Sequence, residues 1–107
     1  MASDPKVFFD DSLDSGAGAW VMLYFGLGGT AAPPGAAICI AFSRDGVSWQ
    51  KASAPLYLPG GHPRGHDRAH AHNAWLNVDA TGRRYLYYTG DDGTGRRGIL
   101  LLTSAPL

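Results

Sequence analysis

The chain has 107 residues, which is enough for one small domain with its own core but too few for two such domains. Apolar residues make up 45% of the sequence and charged residues 17%, a composition that excludes an intrinsically disordered protein. The 9 basic and 9 acidic residues cancel, so no electrostatic footprint indicates nucleic acid or a membrane as a partner.

The sequence shows no sign of targeting or of a membrane span. No N-terminal segment combines a basic start with an apolar core, and no apolar run approaches the ~20 residues that a span requires. We therefore expect a soluble protein without a signal peptide, in a compartment that the sequence does not indicate. Cys39, the single cysteine, lies in an apolar run and is expected to be a buried small side chain.

Short strands are the predicted elements. The chain contains 15 glycines and 7 prolines, and no apolar pattern with a helical period is long enough to predict a helix. The runs between these breakers are rich in aromatic and β-branched residues. They predict strands at residues 6–9, 20–26, 37–43, 47–51, 74–78, 84–89 and 98–104. Several strands are apolar on both faces, which favours sheets stacked face to face.

The two halves of the chain resemble each other. Residues 24–26 (YFG) align with residues 88–90 (YTG) at an offset of 64 (88 − 24), and Ser43 aligns with Ser104 at an offset of 61 (104 − 43). The repeat predicts an all-β fold of two antiparallel, propeller-like units of four strands, the second lacking its outer strand. The predicted organisation is a single domain, residues 1–107, with repeat 1 (4–55), a His/Gly/Pro connector (56–69) and repeat 2 (70–107).

Several motifs together resemble one family. They are SDPKVFFDD, WVMLYFG, IAFSRDGVSWQK, GGHPRGHDRAHAHNAW and YLYYTG, and they cover most of the chain. The set is similar to the five-bladed β-propeller glycosidases of glycoside hydrolase families 43 and 32, of which this chain would supply about two blades. The resemblance implies a carbohydrate-binding or glycoside-hydrolase-like propeller fragment.

Asp4 is the candidate catalytic residue. In the resembling enzymes an Asp-Pro at the start of an innermost strand places a carboxylate at the mouth of the central funnel, and Asp4-Pro5 matches that motif. Hydrolysis needs a second carboxyl group that acts as an acid, which in the family is typically a glutamate, and this chain has none. Asp67 lies near Arg64 and Arg68, which favour its charged form. We therefore expect no complete hydrolytic centre in one chain; any enzyme activity would be glycoside hydrolysis.

All four histidines fall between residues 60 and 75, so this stretch is the predicted site. His70 and His72 are two residues apart, which places both rings on one face of an extended strand. In the repeat, Asp4 falls opposite His72 at an offset of 68 (72 − 4). Three interpretations stay open: structural histidines, sugar contacts, or a divalent metal such as zinc or calcium. The candidate metal ligands are His66, His70 and His72, and the candidate sugar contacts are His70, His72, Trp75 and Asp67.

The predicted partners are a carbohydrate and further copies of the chain. Two blades cannot close a ring, because closed propellers use ~4–8 blades, and each outer blade face would leave apolar side chains exposed. We therefore expect self-association, and an edge strand lent by another copy is one way to complete the second unit. The alternative functions are a self-assembling interaction module without a ligand and a small histidine-dependent metal enzyme.

Overall fold

The computed structural model describes residues 2–26 and 36–104, which fold into two antiparallel β-sheets. The first sheet has the strand order β1-β2-β3-β4 and the second the order β5-β6-β7. The strands are β1 (Ala2–Asp10), β2 (Ala19–Gly26), β3 (Ala37–Ser43), β4 (Gln50–Lys51), β5 (His70–Val78), β6 (Arg84–Asp91) and β7 (Arg97–Thr103). This confirms the all-β prediction and the three-stranded second unit.

Helical structure plays little part in these residues. A single 3-10 turn, Asp14–Gly16, joins β1 to β2, and the described part of the chain contains no helix long and apolar enough to cross a membrane. Residues 27–35 of repeat 1 and 105–107 of repeat 2 lie outside the described residues.

The fourth strand is shorter than predicted, because a side chain holds its first residues in a turn. The prediction began at Val47, whereas β4 begins at Gln50. One carboxylate oxygen of Asp45 accepts hydrogen bonds from the backbone N–H groups of Val47 and Ser48, each at 2.8 Å. These amides are therefore not available for pairing with β3.

The two sheets repeat each other pair for pair. Lys6 pairs with Leu23 in the first sheet, and Trp75 pairs with Tyr87 in the second. Tyr87 is therefore equivalent to Leu23 at an offset of 64 (87 − 23), and Trp75 is equivalent to Lys6 at an offset of 69 (75 − 6). Tyr24 pairs with Cys39 as Tyr88 pairs with Leu100, the predicted offset of 61 (100 − 39). The strands β1–β3 and β5–β7 are thus two copies of one three-stranded meander.

The register corrects one predicted equivalence. Both inner strands contain a β-bulge, between Ser3 and Lys6 in β1 and between His72 and Trp75 in β5. Because these bulges coincide, Asp4 is equivalent to Asn73, at an offset of 69, and not to His72 as predicted. An alignment by strand ends missed this one-residue difference.

Each sheet has two faces, which we call front and back and assign first in the first sheet. Its front face carries Lys6, Phe8, Val21, Leu23, Ile38 and Ile40, and its back face carries Val7, Phe9, Trp20, Met22, Tyr24 and Cys39. The equivalent residues define the faces of the second sheet: Trp75, Tyr85, Tyr87, Ile99 and Leu101 lie on the front, and Leu76, Leu86, Tyr88 and Leu100 on the back. The hydrophobic core joins the front of the first sheet to the back of the second.

Candidate functional site

The two bulges place polar residues at equivalent points of the inner strands. Asp4 has a φ of 52° and Asn73 a φ of 53°, both in the left-handed region, and both residues are exposed. Aspartate and asparagine tolerate this conformation better than other non-glycine residues. Bulges of this kind re-aim side chains and are frequent beside binding sites. Asn73 is therefore a candidate that the sequence reasoning missed.

Two hydrogen bonds join the start of β5 to Ala36, the residue directly before β3. The backbone N–H of Ala36 donates to Nδ1 of His70 at 2.9 Å, and the carbonyl of Ala36 accepts from the N–H of Ala71 at 2.9 Å. Since Nδ1 accepts, the neutral His70 ring carries its proton on Nε2. These hydrogen bonds thus fix both the position and the tautomer of His70.

His72 lies where the two sheets meet. Its ring is half-buried and packs against Phe25 of the first sheet, with the ring centroids 5.5 Å apart, and the centroid of the His70 ring lies at 6.4 Å. Burial, followed by the nearby His70 and Arg97, lowers the pKa of His72, while Asp4 and Asp91 act in the opposite direction. Of the charges that act on this pKa, Asp4 belongs to the first sheet and the others to the second.

Asp91 adds a second carboxylate to this region. It pairs with His70 across the β5–β6 ladder and is nearly buried. Its oxygens accept from the N–H of Gly93 at 2.8 Å and from Nε of Arg97 at 3.2 Å, and these contacts lower its pKa. We call Asp4, His70, His72, Asn73 and Asp91 the inner-strand cluster.

Asp67 differs from the other candidates because it is fully buried, although it belongs to the connector. Its carboxylate accepts hydrogen bonds from the hydroxyls of Tyr57 at 2.7 Å and Tyr88 at 2.8 Å, and from the N–H groups of Gly60 at 3.2 Å and His62 at 3.1 Å. Burial alone raises the pKa of Asp67, but these four donors outweigh it and hold the pKa below its usual value. In this structure the carboxylate holds the connector and has no surface open to a ligand.

The four histidines form two pairs of neighbouring rings, and the three predicted metal ligands come from both pairs. The rings of His62 and His66 lie 4.8 Å apart in the connector, and His70 and His72 lie on β5. Within residues 2–26 and 36–104, no group of three or more His, Cys, Asp or Glu side chains is arranged to hold a metal ion. His66, His70 and His72 as placed do not fit a site of three protein ligands.

Trp75 lies beyond the bulge and outside the inner-strand cluster. It forms a row with Tyr87 and Leu101 across the three strands of the second sheet, on the front face, and about half of its surface is exposed. No described strand covers this face, so the ring is accessible to a sugar or to another protein surface.

A groove lies elsewhere on the first sheet. It is lined by Phe42, Arg44, Trp49 and Gln50, among others, and an ion pair joins Arg44 to Asp14 at 3.2 Å. The groove contains none of the four histidines. The shared bulges and the packing of His72 on the first sheet make the inner-strand cluster the better candidate.

Sequence signals for the missed residues do exist. Aligning SDP with HNA at an offset of 69 would have placed Asn73 opposite Asp4, but a bulge is not visible in the apolar pattern. Asp91 follows strand residues in the TGDDG run, which reads as a turn. Its position became evident only once β6 was seen to extend to Asp91.

Comparison with known proteins gives one relevant similarity. No protein-family model matches this sequence, and no curated protein matches it significantly. A solved structure named "Glycoside hydrolase" is similar to this chain, with a TM-score of 0.76 and 25% sequence identity. The similarity covers 99% of this chain and 28% of that protein's chain. The two sheets therefore have a fold like that of part of a glycoside hydrolase.

Proposed function

We propose that this glycoside-hydrolase-like fragment binds a carbohydrate at the inner-strand cluster. The observation that carries the proposal is the pair of coincident bulges at Asp4 and Asn73, beside which His72 of the second sheet packs against Phe25 of the first. The similarity to a glycoside hydrolase over 99% of the chain supports the choice of ligand class.

The chemistry of the cluster suits a polyol. Sugar hydroxyls both donate and accept hydrogen bonds, and the cluster offers carboxylate acceptors, the amide of Asn73 and the imidazoles of His70 and His72. Because the pKa of His72 is lowered, its ring is neutral near pH 7 and presents one donor and one acceptor. A neutral hydroxyl is a better match for such a ring than an anion is.

Hydrolysis by a single chain is not part of this proposal. A glycosidase needs one carboxyl group that is protonated at working pH, which requires a raised pKa. The pKa values of Asp67 and Asp91 are both lowered, so neither suits that role. The chain contains no glutamate that could replace them.

Thermal denaturation with a panel of pentosides, hexosides and short oligosaccharides at millimolar concentration tests the proposal. We expect at least one sugar to raise the melting temperature, because a ligand that binds only the folded state stabilises it. Asp4→Asn and His72→Gln should abolish that rise, and His62→Gln, in the connector pair, should keep it. If no sugar raises the melting temperature, or if His62→Gln alone abolishes the rise, the proposal fails.

The interaction module is the second candidate function. It is favoured by the two sheet faces that the core leaves uncovered, on which about half of the surface of Phe9 and of Trp75 is exposed. An interaction function and sugar binding use different residues and are therefore compatible.

A further inference from the structure

We propose that copies of this chain dock head to tail. The open front face of the second sheet in one copy would cover the open back face of the first sheet in the next copy. This inference is independent of sugar binding, because it uses the sheet faces and not the inner-strand cluster.

The internal packing provides the template for this contact. Within one chain, the front of the first sheet packs on the back of the second, through Leu23 and Ile38 on one side and Leu86 and Tyr88 on the other. Since the two sheets are repeats with the same strand register, each sheet has one face of each kind. The two faces left over are therefore one front and one back, the same combination that already forms the core.

The exposed fractions of equivalent front-face residues show that the front face is covered in the first sheet and open in the second. Ile38 in the first sheet is 0% exposed, whereas the equivalent Ile99 in the second sheet is 72% exposed. Leu23 is 2% exposed, and the equivalent Tyr87 is 41% exposed. The second sheet thus keeps large apolar residues at positions that are buried when a back face covers them.

The open back face of the first sheet has the matching chemistry. It carries Val7, Phe9 and Trp20, all substantially exposed, and the rings of Phe9 and Trp20 meet edge to face with centroids 5.2 Å apart. Aromatic residues of this kind are enriched at the centres of protein interfaces. Contiguous exposed apolar patches on soluble proteins commonly mark interaction sites.

The symmetry of this contact determines which assemblies it can form. A front-on-back contact is heterologous, so it joins two different surfaces and repeats from copy to copy until a ring closes. Closed propellers contain ~4–8 blades, so rings of ~2–4 two-sheet copies have the appropriate size. A two-fold contact would instead pair one face with itself.

Two single variants and their mixture test the front-on-back contact. Ile99→Asp removes the front contact and Val7→Asp removes the back contact, and both side chains are exposed enough for the fold to survive, which circular dichroism checks. Val47→Asp, at an exposed turn residue on neither face, is the matched control. The mass of each sample is measured by light scattering after size-exclusion chromatography at micromolar concentration.

We expect the unmodified chain and Val47→Asp to form oligomers, and each face variant to run as an 11.3 kDa monomer. An equimolar mixture of Ile99→Asp and Val7→Asp should form a dimer of twice that mass, because each variant keeps the face that the other lacks. A monomeric unmodified chain would overturn the proposal. So would a face variant that remains fully oligomeric, or a mixture that stays monomeric.

Discussion

Asp67 organises the connector through a single carboxylate. Its two oxygens together accept from two phenol hydroxyls and two backbone N–H groups that belong to the connector and to β6. The phenol oxygens of Tyr57 and Tyr88 also lie 3.2 Å apart, so three polar side chains form one buried cluster. Satisfying every member in this way makes a buried polar cluster stabilising and specific in geometry.

Asp67→Asn should therefore reduce stability. The amide keeps the shape but has one acceptor oxygen, so donors on the other side face an NH2 group. We expect the free energy of unfolding to fall by about 2 kcal/mol in urea denaturation, the scale of losing hydrogen bonds to a buried charge. Asp11→Asn, at an exposed position, is the control and should change it little.

The free energy of unfolding that the Asp67 carboxylate contributes depends on pH. The folded-state pKa of Asp67 is lowered below its ordinary value of 3.8, so the stabilisation is fully present above pH 3.8 and is lost as the pH falls through the folded-state pKa. The difference between the unmodified chain and Asp67→Asn should shrink in acid. A difference that is constant from pH 7 to well below 3.8 would contradict the carboxylate's role.

His72 titration reports on the contact between the two sheets. Its folded-state pKa is lowered below the ordinary 6.5, so its contribution to stability is complete above pH 6.5 and decreases as the pH falls below 6.5. Asp4 acts to raise this pKa, so Asp4→Asn should lower it further. NMR titration of the imidazole measures the change, with Asp11→Asn as the control. An unchanged or higher pKa in Asp4→Asn would place Asp4 away from His72.

At the level of elements, the paired bulges restrict which residues the inner strands can accept. An L-residue with a β-branched side chain is strained at the φ of 53° that Asn73 adopts, whereas glycine is not. Asn73→Val should therefore lower the free energy of unfolding by about 1–2 kcal/mol, and Asn73→Gly should change it little. Equal losses in the two variants would show that the side chain, and not the backbone conformation, is what matters.

The sequence predicted the strands better than it predicted the register. Breakers and apolar runs located all seven described strands, because most of the described glycines lie in the turns between strands. The bulges and the position of Asp91 were not predicted, since each depends on hydrogen bonds between residues that the local pattern does not connect. The short β4 was not predicted because the apolar pattern does not show that the Asp45 carboxylate holds the N–H groups of Val47 and Ser48. The buried contacts of Asp67 were not predicted either, because its partners Tyr57 and Tyr88 are distant in sequence.

For the whole molecule, the repeat explains both the core and the open faces. Two copies of one meander packed front to back bury one pair of faces, and no strand within residues 2–26 and 36–104 covers the other pair. If the open faces associate, the melting temperature should rise with protein concentration, because association stabilises the folded chain by mass action. Val7→Asp should remove that dependence. A melting temperature independent of concentration in the unmodified chain would argue against association.

The most direct test of the proposed binding site uses the four histidines as internal probes. In a long-range proton–nitrogen NMR spectrum, a sugar that raises the melting temperature should shift the imidazole signals of His70 and His72 and leave those of His62 and His66 unchanged. The distinction follows from where the two pairs lie in the chain, one in the inner-strand cluster and one in the connector. Shifts confined to His62 and His66, or no imidazole shift at saturating sugar, would contradict carbohydrate binding at the inner-strand cluster.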